Sequence, residues 1–386
     1  MAGKYDVIVV GAGPSGATTA YETARAGLRT LLVDKATLPR YKTCGGGITY
    51  KSVRALPFSI DSVTERHIYK VDFSWRTHNP YVLTSPEPLV SMVQRSRFDF
   101  LLAEQAANSG AQVMDNTTVN SVEMDEAGVT LGTSRGPLHA SYLVGADGAT
   151  GKVARQLGLM SDRYALAALE SEVEVEPEAM GRWQDRLGID LGWLKASYGW
   201  VFPKGDHLSV GVGGLPLLED YGKLLKTYDQ AHTAARAPGS AIKRVIRSHG
   251  YLLPCRQPGS PVHKGNALLV GDAAGLVEAF TGEGIYWAIR SGQIAARCIT
   301  DGEIANYTRR LEAALMPDLM SARRWMQVYI KLPRACYTLP GRVPAFWHAV
   351  CRIMRGERHF REVRQILGPL GLLERALADP LVATRP

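Results

Sequence analysis

The N-terminal segment of the chain alternates between short β-branched runs and one helical repeat. Residues 5–10 (YDVIVV) suit a buried parallel strand, residues 15–27 carry an Ala-rich helical pattern that ends at Gly27, and residues 29–34 (RTLLVD) supply a second strand. Strand, helix and strand in this order predict a βαβ unit, in which the two strands pair in parallel.

The next segments are shorter and less regular. A Gly-rich loop (CGGGI, 44–48) precedes a stretch that we predict to be irregular to about residue 90, and a helix is predicted at 96–109. Short strands separated by turn signals occupy 111–147. Their last run, YLVGADG, is expected to return to the N-terminal sheet.

An alternation of period two begins at about residue 165 and continues to about 253. Runs such as LESEVEVE and LSVGVGG predict an antiparallel sheet, which we interpret as a second lobe inserted between pieces of the first. A buried strand followed by glycine returns in ALLVGDAAG (267–275). Beyond about 305 the pattern is helical, and five prolines are expected to divide it into short helices: Pro317, Pro333, Pro340, Pro344 and Pro369.

The composition excludes several classes of protein. A chain of 386 residues with 46% apolar and 21% charged residues is long enough for two lobes and too apolar for disorder. Its five cysteines lack the CxxC or His/Cys spacing of a metal site, so no metal is expected and a reducing, cytoplasmic location is favoured. No run approaches the roughly 18 apolar residues of a spanning helix.

The net charge of +8 is concentrated at the C-terminal end, where residues 305–386 hold 14 Lys/Arg against 6 Asp/Glu. No RRM, zinc-finger or helix-turn-helix signature accompanies this charge, so we expect no nucleic-acid partner. Stretches such as RRWMQVYIKLPRACYTL mix arginine with aromatic residues, as helices at a membrane surface do. Peripheral membrane attachment and a helical cap with a solvated basic face both fit this pattern.

The first chemical motif is a GxGxxG between the predicted strand and helix, formed by Gly11, Gly13, Pro14, Ser15 and Gly16. Its glycines allow a tight turn, close approach of a pyrophosphate and helix–strand packing, and the helix N-terminus faces the phosphates. Asp34 follows Gly16 by eighteen residues, close to the offset of a carboxylate that accepts from ribose hydroxyls. These residues predict a dinucleotide site and leave NAD and FAD open.

Two later motifs select FAD. The run LVGADGATGKVAR (143–155) contains Asp147 and Gly148, and ALLVGDAAGLVEAFTGEGI (267–285) contains Gly271, Asp272, Gly282 and Gly284. In this order they resemble the motifs of glutathione-reductase-type flavoproteins. That resemblance implies that Asp272 meets the ribityl hydroxyls, and that the following glycines and a helix N-terminus lie near the pyrophosphate and the flavin.

Four further stretches resemble the geranylgeranyl reductase family: PRYKTCGGG (39–47), RSRFD (95–99), YGWVFPK (198–204) and TGEGI (281–285). The resemblance spans about residues 5–300 and implies reduction of isolated double bonds in isoprenoid chains. One departure is Lys195, where the archaeal lipid enzymes of the family usually carry a proline. The resemblance and the motifs together assign the FAD contacts to Gly11, Gly13, Pro14, Ser15, Gly16, Asp34, Lys35, Arg40, Cys44, Gly45, Gly46, Arg95, Asp147, Gly148, Gly271, Asp272, Gly282, Gly284 and Ile285.

The family resemblance also implies which residues meet the substrate. Tyr198, Trp200, Phe202 and Pro203 are expected along a substrate tunnel, and Cys44, Tyr198 and Trp200 are the candidate catalytic residues. Each has a plainer interpretation, because a lone cysteine is commonly a small buried hydrophobe and an alternating aromatic stripe is commonly a sheet core. No residue stands out as the proton donor.

The predicted fold class is α/β, with a Rossmann-type FAD-binding lobe, an inserted antiparallel-sheet substrate lobe and a helical C-terminal region. We assign 1–66, 91–164 and 254–304 to the FAD-binding domain, 67–90 and 165–253 to the substrate domain, and 305–386 to the helical region. The electron donor stays open between NADPH and reduced ferredoxin, and so does the oligomeric state.

Two other functions stay open on the same sequence. The stretch YGWVFP is also similar to the WxWxIP signature of tryptophan halogenases, with Tyr198 in place of the first tryptophan. A flavin-dependent monooxygenase or halogenase of the same fold is therefore the main alternative. A carrier that holds flavin or prenyl chains without catalysis is the other.

Overall fold

The computed structural model describes residues 5–126, 128–159, 162–236 and 242–362. In chain order the strands are β1 (Tyr5–Val10), β2 (Thr30–Val33), β3 (Gly47–Thr49), β4 (Thr64–Ile68), β5 (Lys70–Trp75), β6 (His78–Thr84), β7 (Val90–Val93), β8 (Gln112–Met114), β9 (Val119–Asp125), β10 (Gly128–Thr133), β11 (Gly136–Gly145), β12 (Tyr164–Val175), β13 (Arg186–Leu191), β14 (Ser197–Pro203), β15 (Leu208–Gly214), β16 (Ile242–Cys255), β17 (His263–Lys264) and β18 (Ala267–Leu269). The helices are α1 (Pro14–Arg25), α2 (Tyr50–Ala55), α3 (Arg95–Asn108), α4 (Val153–Gln156), α5 (Pro177–Arg182), α6 (Tyr221–Arg236), α7 (Ile285–Thr300), α8 (Tyr307–Lys331), α9 (Pro333–Arg342) and α10 (Pro344–Met354).

The first sheet is built around the N-terminal βαβ unit. Its strand order is β17-β18-β11-β1-β2-β8, with β10 and β9 attached to β11. β1 pairs in parallel with both β2 and β11, its residues 7–10 are buried, and α1 packs against it. The predicted βαβ unit and the return of YLVGADG to this sheet are confirmed.

The second sheet has seven strands in the order β16-β12-β15-β14-β13-β5-β6. The antiparallel sheet predicted for 165–253 is confirmed, with two differences. β13 pairs in parallel with β5, from a segment earlier in the chain, and the helices α5 and α6 interrupt the series of strands. The expectation of an irregular stretch up to residue 90 is wrong. β5 and β6 form a hairpin whose turn, Arg76 and Thr77, has positive φ at both positions without the Asn-Gly signature that would predict it.

The C-terminal helices differ from the expected series of short helices. α8 continues through Pro317, so the expectation that this proline ends a helix is wrong. Pro317 has no N–H to donate to the backbone carbonyl of Ala313. Both residues are exposed, so water can donate a hydrogen bond to that carbonyl oxygen instead. Pro333 and Pro344 each begin a helix as expected, whereas Pro340 lies inside α9. Pro369 lies outside the described residues.

The C-terminal helices pack onto the molecule through their aromatic residues. Trp325, Tyr329 and Trp347 are each less than 10% exposed, and Trp347 donates a hydrogen bond from Nε1 to the carbonyl of Thr84 on β6. These helices therefore cover the seven-stranded sheet. No helix among the described residues combines the length and the apolar character needed to cross a bilayer.

Candidate functional site

A cavity of about 1050 Å³ runs between the two sheets and the C-terminal helices. One end is lined by the glycine loop after β1 and the other by apolar side chains of the second sheet and of α8 to α10. Most of the residues selected from the sequence line this cavity. Gly16, Gly271 and Pro203 are the ones that do not contribute to its wall in the described chain.

The glycines of the first motif stand where no side chain fits. A Cβ on Gly11, which has φ of +111°, would lie 2.3 Å from the carbonyl oxygen of Ala146. A Cβ on Gly16 would lie 1.9 Å from the oxygen of Gly11, so this glycine serves helix–strand packing rather than the cavity. Gly13, Pro14 and Ser15 line the cavity at the N-terminus of α1, where backbone N–H groups favour an anion.

A chain of buried ion pairs leads from this loop toward the middle of the cavity. Asp34 accepts hydrogen bonds from the backbone N–H of Ala12 at 2.8 Å and from Arg40 Nε at 3.2 Å. Arg40 also contacts Asp99 at 3.2 Å, and Asp99 makes two hydrogen bonds of 2.8 and 2.9 Å with Arg95. Burial by itself would lower the pKa of Arg95, but Asp99 and, to a smaller extent, the neighbouring Cys44 raise the pKa of the guanidinium above its usual range. The sequence did not identify Asp99 as a site residue, because its position between Arg40 and Arg95 in this series of ion pairs exists only in the folded protein.

The carboxylates of the later motifs face the same space. Asp147 accepts from the backbone N–H of Val153 at 3.0 Å, while its buried Oδ1 has no partner among the described residues. Burial raises the pKa of Asp147. Asp272 accepts from the hydroxyl of Tyr251 at 3.2 Å, and Gly284 and Ile285 line the cavity at the start of α7. Glycines that permit close approach, a free carboxylate oxygen and two helix N-termini fit FAD at this end.

The loop at 39–46 is held between β14 of the second sheet and β7, which belongs to a separate three-stranded sheet with β3 and β4. A Cβ on Gly45 would lie 2.6 Å from the Phe202 ring, and a Cβ on Gly46, at φ of +76°, would lie 2.3 Å from the carbonyl of Val93. The thiol of Cys44 accepts from the N–H of Gly46 at 3.4 Å, and the half-buried residue lines the cavity. Because Gly45 and Gly46 have no side chains, the loop can pack closely against the Phe202 ring and the Val93 carbonyl.

A lysine of this loop lies deep in the cavity. Lys42 Nζ is 3.3 Å from the centroid of the Tyr251 ring, a cation–π contact. Burial, and then the nearby Arg95, lower the pKa of Lys42 to about 8. The sequence did not single out Lys42.

The aromatic stripe of β14 faces the cavity as expected. Tyr198, Trp200 and Phe202 all line it, and the Tyr198 hydroxyl donates to the carbonyl of Thr281. The Trp200 ring crosses Gly211 on β15, where a Cβ would lie 2.2 Å from the ring, and Trp200 Nε1 donates to Ser209 Oγ at 3.2 Å. Pro203, predicted to meet the substrate, is buried outside the cavity wall because it follows the alternation to the opposite face of the strand.

The far arm of the cavity is apolar and has the C-terminal helices as its roof. The sheet contributes Val71, Phe73, Leu187, Ile189 and Leu191, and the helices contribute Trp325, Tyr329, Cys336, Pro340, Phe346, Trp347, Val350, Ile353 and Met354. Two interpretations of the basic, aromatic C-terminal stretch were open. Its aromatic residues pack inward, as the helical-cap interpretation expects. One buried ion pair, Lys51 Nζ with Glu283 Oε2 at 2.5 Å, also borders the cavity. No cluster of three or more His, Cys, Asp or Glu side chains suited to a metal occurs among the described residues.

The chain was compared with known families and proteins. The sequence profile described as an FAD binding domain matches residues 4–183. The chain is 32% identical over 308 residues to the geranylgeranyl diphosphate reductase of Rhodobacter capsulatus, covering 76% of this chain and 74% of that protein. It is 30% identical over 361 residues to the menaquinone reductase of Mycolicibacterium smegmatis, covering 86% of each.

Solved structures share the fold at lower identity. A geranylgeranyl bacteriochlorophyll reductase-like protein from Thermoplasma acidophilum superposes with a TM-score of 0.75 at 24% identity, over 84% of this chain and 87% of that one. The flavin-dependent brominase Bmp2 superposes with a TM-score of 0.76 at 19% identity, over 97% of this chain and all of that one. At these identities the likeness establishes the architecture that reductases and halogenases have in common.

Proposed function

This chain belongs to the geranylgeranyl reductase family of FAD-dependent oxidoreductases, and on that premise we propose that it saturates isolated C=C double bonds of an isoprenoid chain. The chain would be carried by a lipid, a quinone or a chlorophyll-like molecule. The similar proteins named geranylgeranyl diphosphate reductase and menaquinone reductase support a prenyl substrate, and they do not distinguish among these three carriers.

The observation that carries this proposal is the continuity of the cavity. Its wall changes from glycines and paired charges near α1 to the apolar arm beneath α8 to α10. A flexible hydrocarbon chain needs such an enclosed apolar slot, because an isolated alkene has no polar group by which a protein can align it. The aromatic residues Trp200 and Phe202 stand at the junction of the two regions.

In this proposal the glycine loop, Asp34, Asp147 and Asp272 would hold FAD, which supplies hydride transfer when bound. The N-terminus of α7 would favour negative charge at the edge of the cofactor. Cys44 and Gly45 would border the reacting carbons, and Tyr198 and Trp200 would fix the prenyl chain. The helical roof excludes water from the apolar arm, since Trp325 and Trp347 are buried there.

The electron donor is proposed to be NADPH or reduced ferredoxin. The basic residues of the edge strand β16 do not favour ferredoxin, because they are matched by glutamates in β12 and directly after it. Lys243 pairs with Glu176 at 3.2 Å, Arg244 with Glu174 at 3.2 Å, and Arg247 with Glu172. Anaerobic addition of each donor, with the flavin absorbance as readout, distinguishes the two.

We also propose peripheral attachment to anionic membranes in the cytoplasm, through exposed basic residues of the C-terminal helices. Arg334 and Arg342 on α9 are exposed, and Leu332 just before this helix is 37% exposed. The neighbouring tryptophans are buried, so the attachment would rest on charge more than on insertion of aromatic residues.

The proposed reductase activity is tested on lipid extracts. Dithionite-reduced protein is incubated with total lipid without oxygen, and the products are analysed by mass spectrometry. A reductase adds hydrogen to prenyl chains. A monooxygenase or halogenase would produce no change without oxygen, and a carrier would leave every lipid mass unchanged.

A further inference from the structure

One carboxyl group in the cavity is used by none of the contacts above. Glu170 lies on β12 between Gly211 of β15 and His249 of β16, and it is 5% exposed. Its side chain lines the cavity, and its Oε1 has no hydrogen-bond partner among the described residues. A buried acceptor without a hydrogen-bond partner calls for an explanation, and a catalytic role is one of those found in native proteins.

The place of Glu170 follows from the pleat of the second sheet. It is directly opposite Gly211, and Gly211 is directly opposite Trp200, so the three residues share the cavity face of adjacent strands. Because Gly211 has no side chain, little separates the carboxyl group from the indole ring. The Ser209 hydroxyl interacts with both, as the acceptor of Trp200 Nε1 and as a partner of the Glu170 carboxyl.

The other carboxyl groups that line the cavity have different surroundings. Asp34 is paired with Arg40, and Glu283 with Lys51. Asp272 accepts a hydrogen bond from the Tyr251 hydroxyl. Asp147 follows β11 of the first sheet and so does not lie on the face of the second sheet that carries Trp200. Glu170 is therefore the cavity carboxyl on the substrate side that is free to exchange a proton.

We propose that Glu170 donates the proton that completes reduction of the double bond, an inference that rests on the proposed function. Hydride from the bound reduced flavin forms a C–H bond at one carbon of the alkene. The π electron pair forms the second C–H bond at the other carbon with the proton of the carboxyl group, whose O–H bond breaks. The alkene is reduced, the flavin is oxidised, and Glu170 is left as a carboxylate that regains a proton from solvent.

The charges around Glu170 suit both of its protonation states. Burial raises the pKa of Glu170, which favours the neutral acid before the reaction, and the carboxylate of Glu172 acts in the same direction. Lys204 and Lys42 oppose this effect and stabilise the carboxylate that remains after proton transfer. Tyr41 of the loop and His249 of β16 are the other titratable groups that face this position.

The test compares Glu170→Gln with Glu174→Gln in the FAD-loaded protein. Glutamine keeps the shape of the side chain and cannot protonate carbon, and Glu174 lies on the same strand in an ion pair with Arg244 at the surface. Each protein is reduced with dithionite without oxygen and mixed with geranylgeranyl diphosphate, or with menaquinone whose ring is already reduced to the quinol, so that the prenyl double bonds are the electron acceptor. We expect normal flavin content and reduction in both variants, and flavin reoxidation slowed roughly 100-fold in Glu170→Gln alone.

Two further readouts separate a proton donor from a structural residue. Reoxidation in the unmodified protein should slow as pH rises through the raised pKa of Glu170, and Glu170→Gln should lack this decline. At neutral pH the infrared carbonyl absorption of protonated carboxylic acids should be weaker in Glu170→Gln than in the unmodified protein, and unchanged in Glu174→Gln. Other buried carboxyls with a raised pKa, such as Asp147, contribute to this absorption in all three proteins. The infrared readout requires no turnover.

The outcomes keep this inference distinct from the proposed function. If Glu170→Gln is reoxidised as fast as the unmodified protein, or if it keeps the full infrared carbonyl absorption of the unmodified protein, Glu170 is not the donor. If neither probe reoxidises the unmodified protein, the proposed function fails and the inference fails with it.

Discussion

Lys204 donates a hydrogen bond from Nζ to the backbone carbonyl of Cys44 at 3.0 Å. The same ammonium group contacts Glu172 Oε1 at 3.1 Å, and Lys204 is only 1% exposed. The hydrogen bond to Cys44 joins two stretches that the sequence analysis identified, PRYKTCGGG and YGWVFPK. It holds the glycine loop against the aromatic stripe of β14, where Gly45 lies close to the Phe202 ring.

Replacing Lys204 should therefore loosen the loop without removing the cofactor site. In Lys204→Met the Cys44 carbonyl loses its charged donor, whereas Glu172 keeps Arg247 at 3.4 Å. We expect a loss of about 1–3 kcal/mol in the free energy of unfolding, retained FAD and reduced turnover. Denaturant unfolding and steady-state kinetics measure these effects. Lys243→Met, at a surface ion pair, is the control, and equal behaviour of the two variants would contradict the role of Lys204.

Asp272 is predicted to be required for flavin binding. Asp272→Ala removes an acceptor for the ribityl hydroxyls, and we expect a folded protein that loses its yellow colour. Flavin absorbance per protein and circular dichroism are the measurements. Asp301→Ala, at an exposed pair with Arg310, is the control. Full FAD occupancy in Asp272→Ala would show that the carboxylate does not hold the cofactor.

Cys44 is predicted to face the substrate rather than the protein core. The thiol lines the cavity beside Gly45, and Arg95 interacts with it from the dinucleotide side. We expect Cys44→Ala to keep FAD and to change the turnover or the number of double bonds reduced, as measured by product mass spectrometry. Cys298→Ala, at a buried thiol among the core residues, is the control. An unchanged rate and product distribution in Cys44→Ala would return Cys44 to the role of a small hydrophobic residue.

Membrane attachment is predicted to depend on the basic C-terminal helices. Truncation of 305–386 would remove the roof of the cavity, so the test uses Arg334→Ser with Arg342→Ser. Each basic residue near an anionic surface contributes about 1 kcal/mol, and salt screens the attraction beyond about 8 Å. The variant should float less with anionic liposomes, and moderate salt should release the unmodified protein. Lys223→Ser with Lys226→Ser, exposed on α6, is the control. Equal flotation with neutral liposomes would contradict an electrostatic attachment.

Much of the fold could be predicted because its signals are local. The β1 run, the GxGxxG and the position of Asp34 lie within one βαβ unit, and the period-two alternation marks β12 and β15 directly. α6 was missed because its buried face carries Tyr228, His232 and Arg236, which look like solvent-exposed residues in the sequence.

The polar residues of the site depended on contacts between distant segments. Glu170 belongs to LESEVEVE, where the alternating glutamates look like a solvated sheet face. Glu170 and Glu172 become buried only when the loop at 39–46 folds over β12. Glu174, further along the strand, stays near the surface in its ion pair with Arg244. Lys204 likewise acquires its role only because Cys44 lies above it. Such positions are defined by tertiary packing and carry no sequence pattern of their own.

The central claim is that this flavoprotein reduces prenyl double bonds, and anaerobic reoxidation of its flavin tests that claim most directly. The dithionite-reduced protein is mixed with geranylgeranyl diphosphate or with the quinol form of menaquinone without oxygen, while flavin absorbance and product mass are recorded together. We predict return of the oxidised flavin spectrum together with hydrogen gain in the prenyl chain. A flavin that stays reduced with both probes until oxygen is admitted, followed by a hydroxylated or halogenated product, would contradict the account.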